Sequence, residues 1–109
     1  MNDCKISAYE KDGKLFMEIA GDADVYTAPK LKSRIIDSID ESHKHFVFDL
    51  RKTDFMDSSG LGVLVGALKR VQKLEGSVAL MYGRDTHIAK VLRVTGLGKV
   101  FPVHTGQGT

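Results

Sequence analysis

The apolar run Phe46-Val47-Phe48-Asp49-Leu50 is followed, a few residues on, by Leu61, Leu64, Val65, Leu68 and Val71. No other feature constrains the chain as tightly. The run reads as a strand covered on both faces. The later residues fall on one face of an amphipathic helix. Between them stands Asp54-Phe55-Met56-Asp57-Ser58-Ser59-Gly60-Leu61-Gly62. Asp57 to Gly60 are helix-starting residues, so Ser58 and Ser59 lie where a strand gives way to a helix. Backbone N–H groups at such a start are unpaired and point outward. A phosphate placed on a hydroxyl there meets the positive end of the helix dipole. From residue type alone, either serine caps the helix. The sharper alternative is that Ser58 is a switch.

The remaining segments follow in order. Residues 5–9 read as a strand, and Asp12-Gly13 as the turn of a hairpin into a second strand over 15–20. Gly21 is expected to break that strand, leaving 22–26 as a loop. Thr27 is a good N-cap with Pro29 in the first turn, and Leu31, Ile35, Ile36 and Ile39 give the helix its apolar face to about Ser42. The helix after the serines runs to about Leu74, with Gly76 as its cap. Residues 77–81 are another buried strand. Asp85 or Thr86 opens a third helix carrying Ile88, Val91 and Leu92, closed by Gly96. A short strand is expected at 100–103, with Pro102 suiting only an edge, and 104–109 as a flexible tail. The order β-β-α-β-α-β-α-β alternates after the first hairpin. That argues for a single α/β domain over 1–103, with a mixed, mostly parallel sheet and right-handed crossover helices.

Several function classes are disfavoured. With 16 basic and 14 acidic residues interspersed, the net charge of +2 gives no footprint for direct nucleic-acid binding. Hydrophobic residues make up 42 %, enough for a core. No apolar run approaches a membrane span and the N-terminus lacks a signal-peptide core, so the expected setting is cytoplasmic. Cys4 has no local feature to activate it and reads as an apolar strand residue. His43, His45, His87 and His104 show no metal-ligand spacing. Phosphate-loop and dinucleotide fingerprints are absent from the sequence. No cofactor or metal is expected.

The stretch Phe55-Met56-Asp57-Ser58-Ser59-Gly60-Leu61-Gly62 resembles the signature of the anti-sigma factor antagonists of the STAS domain family. That signature is Asp-Ser-(Ser, Thr or Ala)-Gly-Leu-Gly after an aromatic-Met pair. Two more stretches resemble the family: Gly21-Asp22-Ala23-Asp24 before the first helix, and Val94-Thr95-Gly96-Leu97-Gly98 near the C-terminus. Ala23 is smaller than the residue usual there, and the tail from His104 matches nothing in the pattern. The resemblance implies a STAS fold and a regulatory protein rather than an enzyme. It implies that Ser58 is the phosphorylation site. The implied partner is an anti-sigma factor that is itself a serine kinase. The unphosphorylated form would bind this kinase and release a sigma factor, and a PP2C-type phosphatase would reset the switch. The free protein is expected to be a monomer with no membrane partner.

Parallel strands place their C-terminal ends on one side, where α/β proteins carry their sites. Asp22, Asp24, Asp54, Asp57, Arg84 and Asp85 should therefore gather near Ser58. Asp22 and Asp85 read as solvated turn residues by themselves. The partner-binding set is expected to be Asp22, Asp24, Asp57, Ser58, Ser59, Gly60 and Gly62. Of the two serines, Ser59 is expected to serve the cap, and Gly60 to leave the backbone open to a kinase. Gly62 and Gly66 lie one turn apart, which suits close packing or a partner helix. Two alternatives remain from the residues: a receiver-like phosphoaspartate domain using the acidic loop, and a nucleotide-binding signalling module.

Overall fold

The computed structural model describes residues 3–104. A hairpin opens the chain, β1 (Cys4–Lys11) against β2 (Lys14–Ala23). Asp12 and Gly13 turn it with φ of 54° and 77°, the left-handed pair that an Asp-Gly turn supplies. There follow α1 (Ala28–Asp40), β3 (His45–Asp49), β4 (Thr53–Met56), α2 (Ser58–Gln72), β5 (Ser77–Met81) and α3 (His87–Thr95). A 3-10 turn at Leu97–Lys99 closes the order. The sheet runs β1-β2-β3-β5, with β4 also paired to β2. β1 is antiparallel to β2, and β2, β3 and β5 are mutually parallel. The expected single α/β fold with a mixed, mostly parallel sheet is therefore observed.

Three local expectations are corrected. Gly21 does not break β2 but kinks it. Its φ is 101°, and a Cβ there would lie 2.0 Å from the Asp3 carbonyl oxygen. Only glycine fits such a position. β2 leaves β3 after Glu18 and pairs with β4 from Gly21 to Ala23, with a register shift between Gly21 and Asp22. That β4, read from sequence as part of the junction loop, is the second correction. The third concerns the final strand, which shrinks to a single parallel bridge between Leu80 and Val103. Leu80 N–H donates to the Pro102 carbonyl at 2.9 Å and His104 N–H to the Leu80 carbonyl at 2.8 Å. Pro102 has no N–H of its own and so serves an edge only through its acceptor. His104, expected to begin the tail, is half-buried with its ring edge-on to Phe16. The rest of the expected tail, 105–109, lies outside the described residues.

The helices behave as their periodicity dictates. Leu61, Leu64, Leu68 and Val71 are buried along α2, and Leu31 and Ile35 along α1. They join Phe46, Phe48 and Leu80 from the sheet in one hydrophobic cluster. α3 ends at Gly96 in the left-handed conformation, as expected. α2 ends differently. The left-handed residue is Glu75 (φ 61°), while a Cβ on Gly76 would lie 2.0 Å from the Lys44 carbonyl oxygen. Gly76 thus permits a close backbone approach, and it takes part in the helix end through its N–H, which donates to the Val71 carbonyl at 2.7 Å.

Asp49, at the C-terminal end of β3, is buried and its side chain forms a bidentate pair with Arg51 at 2.9 and 2.8 Å. Burial raises its carboxyl pKa, but the hydrogen bonds and charge of Arg51 outweigh that and leave the pKa lowered. Such a group stabilises the fold fully above its unfolded pKa, and loses that contribution as pH falls through the lower folded pKa. Chemical denaturation as a function of pH should show this acid-side loss in the wild type and less of it in Asp49→Asn.

Candidate functional site

The junction after β4 is built around one carboxylate. Asp57 is the N-cap of α2, with extended backbone (φ −105°, ψ −172°). Its Oδ1 accepts from the N–H groups of Ser59 at 2.8 Å and Gly60 at 3.1 Å. Its Oδ2 accepts from Val25 N–H at 3.2 Å, tying the β2–α1 loop to the start of α2. The expectation that Ser59, or either serine, caps the helix is thus corrected. A carboxylate two or three residues before the unpaired N–H groups makes the stronger, charge-assisted acceptor. Ser58 is the first residue of the helix and is exposed, while Ser59 is half-buried.

Gly60 also differs from expectation. It is buried, not open to a visiting enzyme. The Ala23 carbonyl oxygen accepts from Asp57 N–H at 3.2 Å, and a Cβ on Gly60 would approach that oxygen to 2.2 Å. The helix start is seated directly on the backbone at the end of β2. Gly60→Ala should therefore destabilise the fold by about 1–3 kcal/mol through overpacking, and not stabilise it as an alanine in a helix usually does. Denaturant titration of the two proteins measures this; an unchanged or raised stability would mean that α2 is not seated so closely.

Two of the expected loops meet here through Val25 and Asp57, and the start of α3 joins them through His87. Asp24 organises the first: its Oδ1 accepts from Tyr26 N–H at 3.0 Å and Thr27 N–H at 3.1 Å. Thr27, expected as a side-chain cap for α1, makes no such bond and instead donates its hydroxyl to the Asp22 carbonyl at 2.7 Å. Asp22 pairs in the sheet with Phe55 and is half-buried. Asp24 and Asp57 thus spend oxygens on backbone N–H groups. Asp54, Arg84 and Asp85 are exposed. Among the described residues, no group of three or more His, Cys, Asp or Glu side chains is disposed to hold a metal.

The third loop brings what sequence reasoning missed. His87, the first residue of α3, stacks on Phe55 with ring centroids 5.1 Å apart and planes inclined by 14°. Its Nε2 lies 3.3 Å from the Met56 carbonyl oxygen. Phe55, Val25 and Tyr26 are all exposed, Tyr26 by 74 %. The rim around Ser58 is therefore mixed, with exposed apolar side chains beside carboxylates. Gly62 is exposed one turn further along α2. Cys4 is fully buried, and burial pushes its thiol pKa up, so it is a poor nucleophile.

Comparison with known proteins points the same way. The STAS domain family profile matches residues 5–107. An anti-sigma-B factor antagonist of Listeria monocytogenes is 32% identical over 92 residues, covering 83% of this chain and 78% of that protein. Among solved structures, an anti-sigma factor antagonist from Mycobacterium paratuberculosis superposes with a TM-score of 0.82 at 26% identity, covering 96% of this chain and 88% of that one. The Bacillus cell fate determinant SpoIIAA in its phosphorylated form superposes with a TM-score of 0.71 at 19% identity, covering 94% and 93%. That last likeness concerns the fold.

Proposed function

The chain belongs to the STAS domain family, and on that premise we propose that it is an anti-sigma factor antagonist switched by phosphorylation of Ser58. Its unphosphorylated form binds an anti-sigma factor that is also a serine kinase, and so frees a sigma factor for RNA polymerase. The kinase transfers the γ-phosphoryl group of ATP to the Ser58 hydroxyl and the complex falls apart. A PP2C-type phosphatase removes the phosphate. The protein is the substrate in this cycle and not its catalyst. It acts in the cytoplasm as a monomer when free.

The observation that carries the reading is the division of labour at the start of α2. Asp57 satisfies the free N–H groups, so the exposed Ser58 hydroxyl is not needed for capping. A phosphate of charge about −1.5 to −2 there favours the helix dipole, yet stands beside the Asp57 carboxylate and an apolar rim. Folding tolerates it, while a partner seated on the rim must bury it. Docking is thus lost without refolding.

A receiver-like reading fits less well. It needs an acid at the C-terminal end of the first strand, on the face that carries the site. β1 is antiparallel, and its end at Lys11 pairs with Lys14, at the far end of the hairpin from Gly21.

The test is release of the sigma factor. The purified protein is added to the cognate anti-sigma–sigma complex and the mixture resolved by size exclusion. Free sigma factor is expected with unphosphorylated protein, and an intact complex with protein phosphorylated beforehand. Failure of the unphosphorylated protein to displace sigma factor at stoichiometric excess would overturn the reading.

A further inference from the structure

A groove of about 270 Å³ runs between α1 and α2 and opens beside Ser59. Its lining includes Ile36 and Val63 on the apolar side, Gly62 and Gly66 along the α2 wall, and the cations Lys32 and Arg70 on opposite walls. Among the described residues, no acidic side chain lines it. Asp40 shares a neighbouring depression with Arg70, and Asp37 shares another with Lys32. Among the described residues, neither Lys32 nor Arg70 is in an ion pair.

The two glycines need explaining. Among the described residues, a Cβ on Gly62 or Gly66 would meet nothing within 4 Å, so their packing does not call for glycine. In contrast to Gly60, they weaken the helix without an internal return. Their effect is to keep the groove wall low along one turn-spaced line. A low wall lets another backbone approach closely.

We propose that this groove seats an acidic, amphipathic α-helix of the anti-sigma partner, a contact that extends the Ser58 rim along α2 through Ser59 and Gly62; this rests on the antagonist function proposed above. A helix is the fitting occupant because it satisfies its own backbone hydrogen bonds over an apolar floor, whereas an extended segment would not. Its charge follows from Lys32 and Arg70, which flank the floor and meet carboxylates on both edges of the incoming helix. Contact here would hold the partner while the rim beside it senses the phosphate.

The test uses the full chain and the purified cognate anti-sigma factor, with affinities from calorimetry at low and moderate salt. Gly66→Leu fills the groove, and the double variant K32E/R70E reverses its rim. Each is expected to weaken binding at least tenfold. Gly66→Leu should at the same time keep or raise the melting temperature, a split that a purely structural role for the glycine would not produce. K32E/R70E should also lose most of the salt dependence of the wild-type affinity. Its binding should be partly restored by acid-to-lysine changes on the partner helix protected from hydrogen exchange in the complex. Wild-type affinity in both variants would overturn the groove proposal while leaving the antagonist function standing. Absence of binding by the wild type would overturn both. Light scattering that shows a dimer of the free chain, dispersed by Gly66→Leu, would assign the groove to a second copy and overturn the proposal.

Discussion

Ser58→Asp should weaken binding to the cognate anti-sigma factor by about 3 kcal/mol or more, roughly a hundredfold. The estimate follows from what surrounds the hydroxyl. Ser58 is exposed at the first residue of α2, beside the Asp57 carboxylate and the exposed side chains of Val25, Tyr26 and Phe55. A partner that covers this rim removes water from any charge placed on it. The groups beside the hydroxyl are a carboxylate and apolar side chains, so the new carboxylate would be buried next to a like charge. Ser58→Ala is the control. It loses at most one hydrogen bond, about 0.5–1.5 kcal/mol, and should bind nearly as wild type. Both variants should retain the fold, since a negative charge in the first turn of a helix is mildly stabilising. Calorimetric titration of the three proteins reads the ordering directly. Equal affinity for wild type and Ser58→Asp would show that the rim is not covered in the complex.

The second large effect concerns the scaffold. Leu64→Ala should destabilise the protein by about 2–5 kcal/mol. Leu64 is fully buried at the middle of the α2 stripe, in the cluster that joins α1, α2 and the sheet. Its neighbours on the sheet side are fixed by paired strands and cannot collapse into the space. Fully buried Phe48 and Leu80 hold one wall of that cluster on β3 and β5. Since α2 carries Asp57 and Ser58 at its start, loosening it should also increase proteolysis within the 22–26 loop, which is tied to Asp57 through Val25. Urea titration gives the stability change; a loss under about 0.5 kcal/mol would mean that the helix presents another face to the core.

The strong signals in the sequence were periodic ones, and they carried the fold. The Phe46–Leu50 run, the α2 stripe and the Asp-Gly turn each follow from local rules that the tertiary structure has no reason to override. β4 was invisible for a physical reason. In Thr53-Asp54-Phe55-Met56 the outer two residues are buried and the inner two exposed, so the strand lacks the alternation that marks one. It forms because Gly21 kinks β2 and frees its last residues to pair. The Thr53 hydroxyl helps, donating to the Ile19 carbonyl at 2.6 Å. Glycines were legible as breaks but not as contacts. Whether one ends an element or admits a backbone depends on a partner distant in sequence: Asp3 for Gly21, Ala23 for Gly60, Lys44 for Gly76.

The site was legible in position and less so in roles. Asp57, Ser58 and Ser59 stand at the junction as read, yet the capping duty passes from the serines to Asp57. The reason is geometric, since the residue just outside the helix reaches back to N–H groups that a residue inside cannot. The Phe55–His87 stack had no local signature, because it joins β4 to α3 across the sheet end. The nearby carboxylates were expected as a free acidic rim. Asp24 and Asp57 are instead bound to backbone N–H groups, which moderates the field a phosphate would meet.

The most direct measurement is phosphosite mapping by mass spectrometry after incubation of the protein with its cognate kinase and ATP. A single phosphate on Ser58 is expected, none on the half-buried Ser59, and no incorporation into Ser58→Ala. Phosphate on Ser59, or unchanged incorporation into Ser58→Ala, would contradict the assignment of Ser58 as the switch.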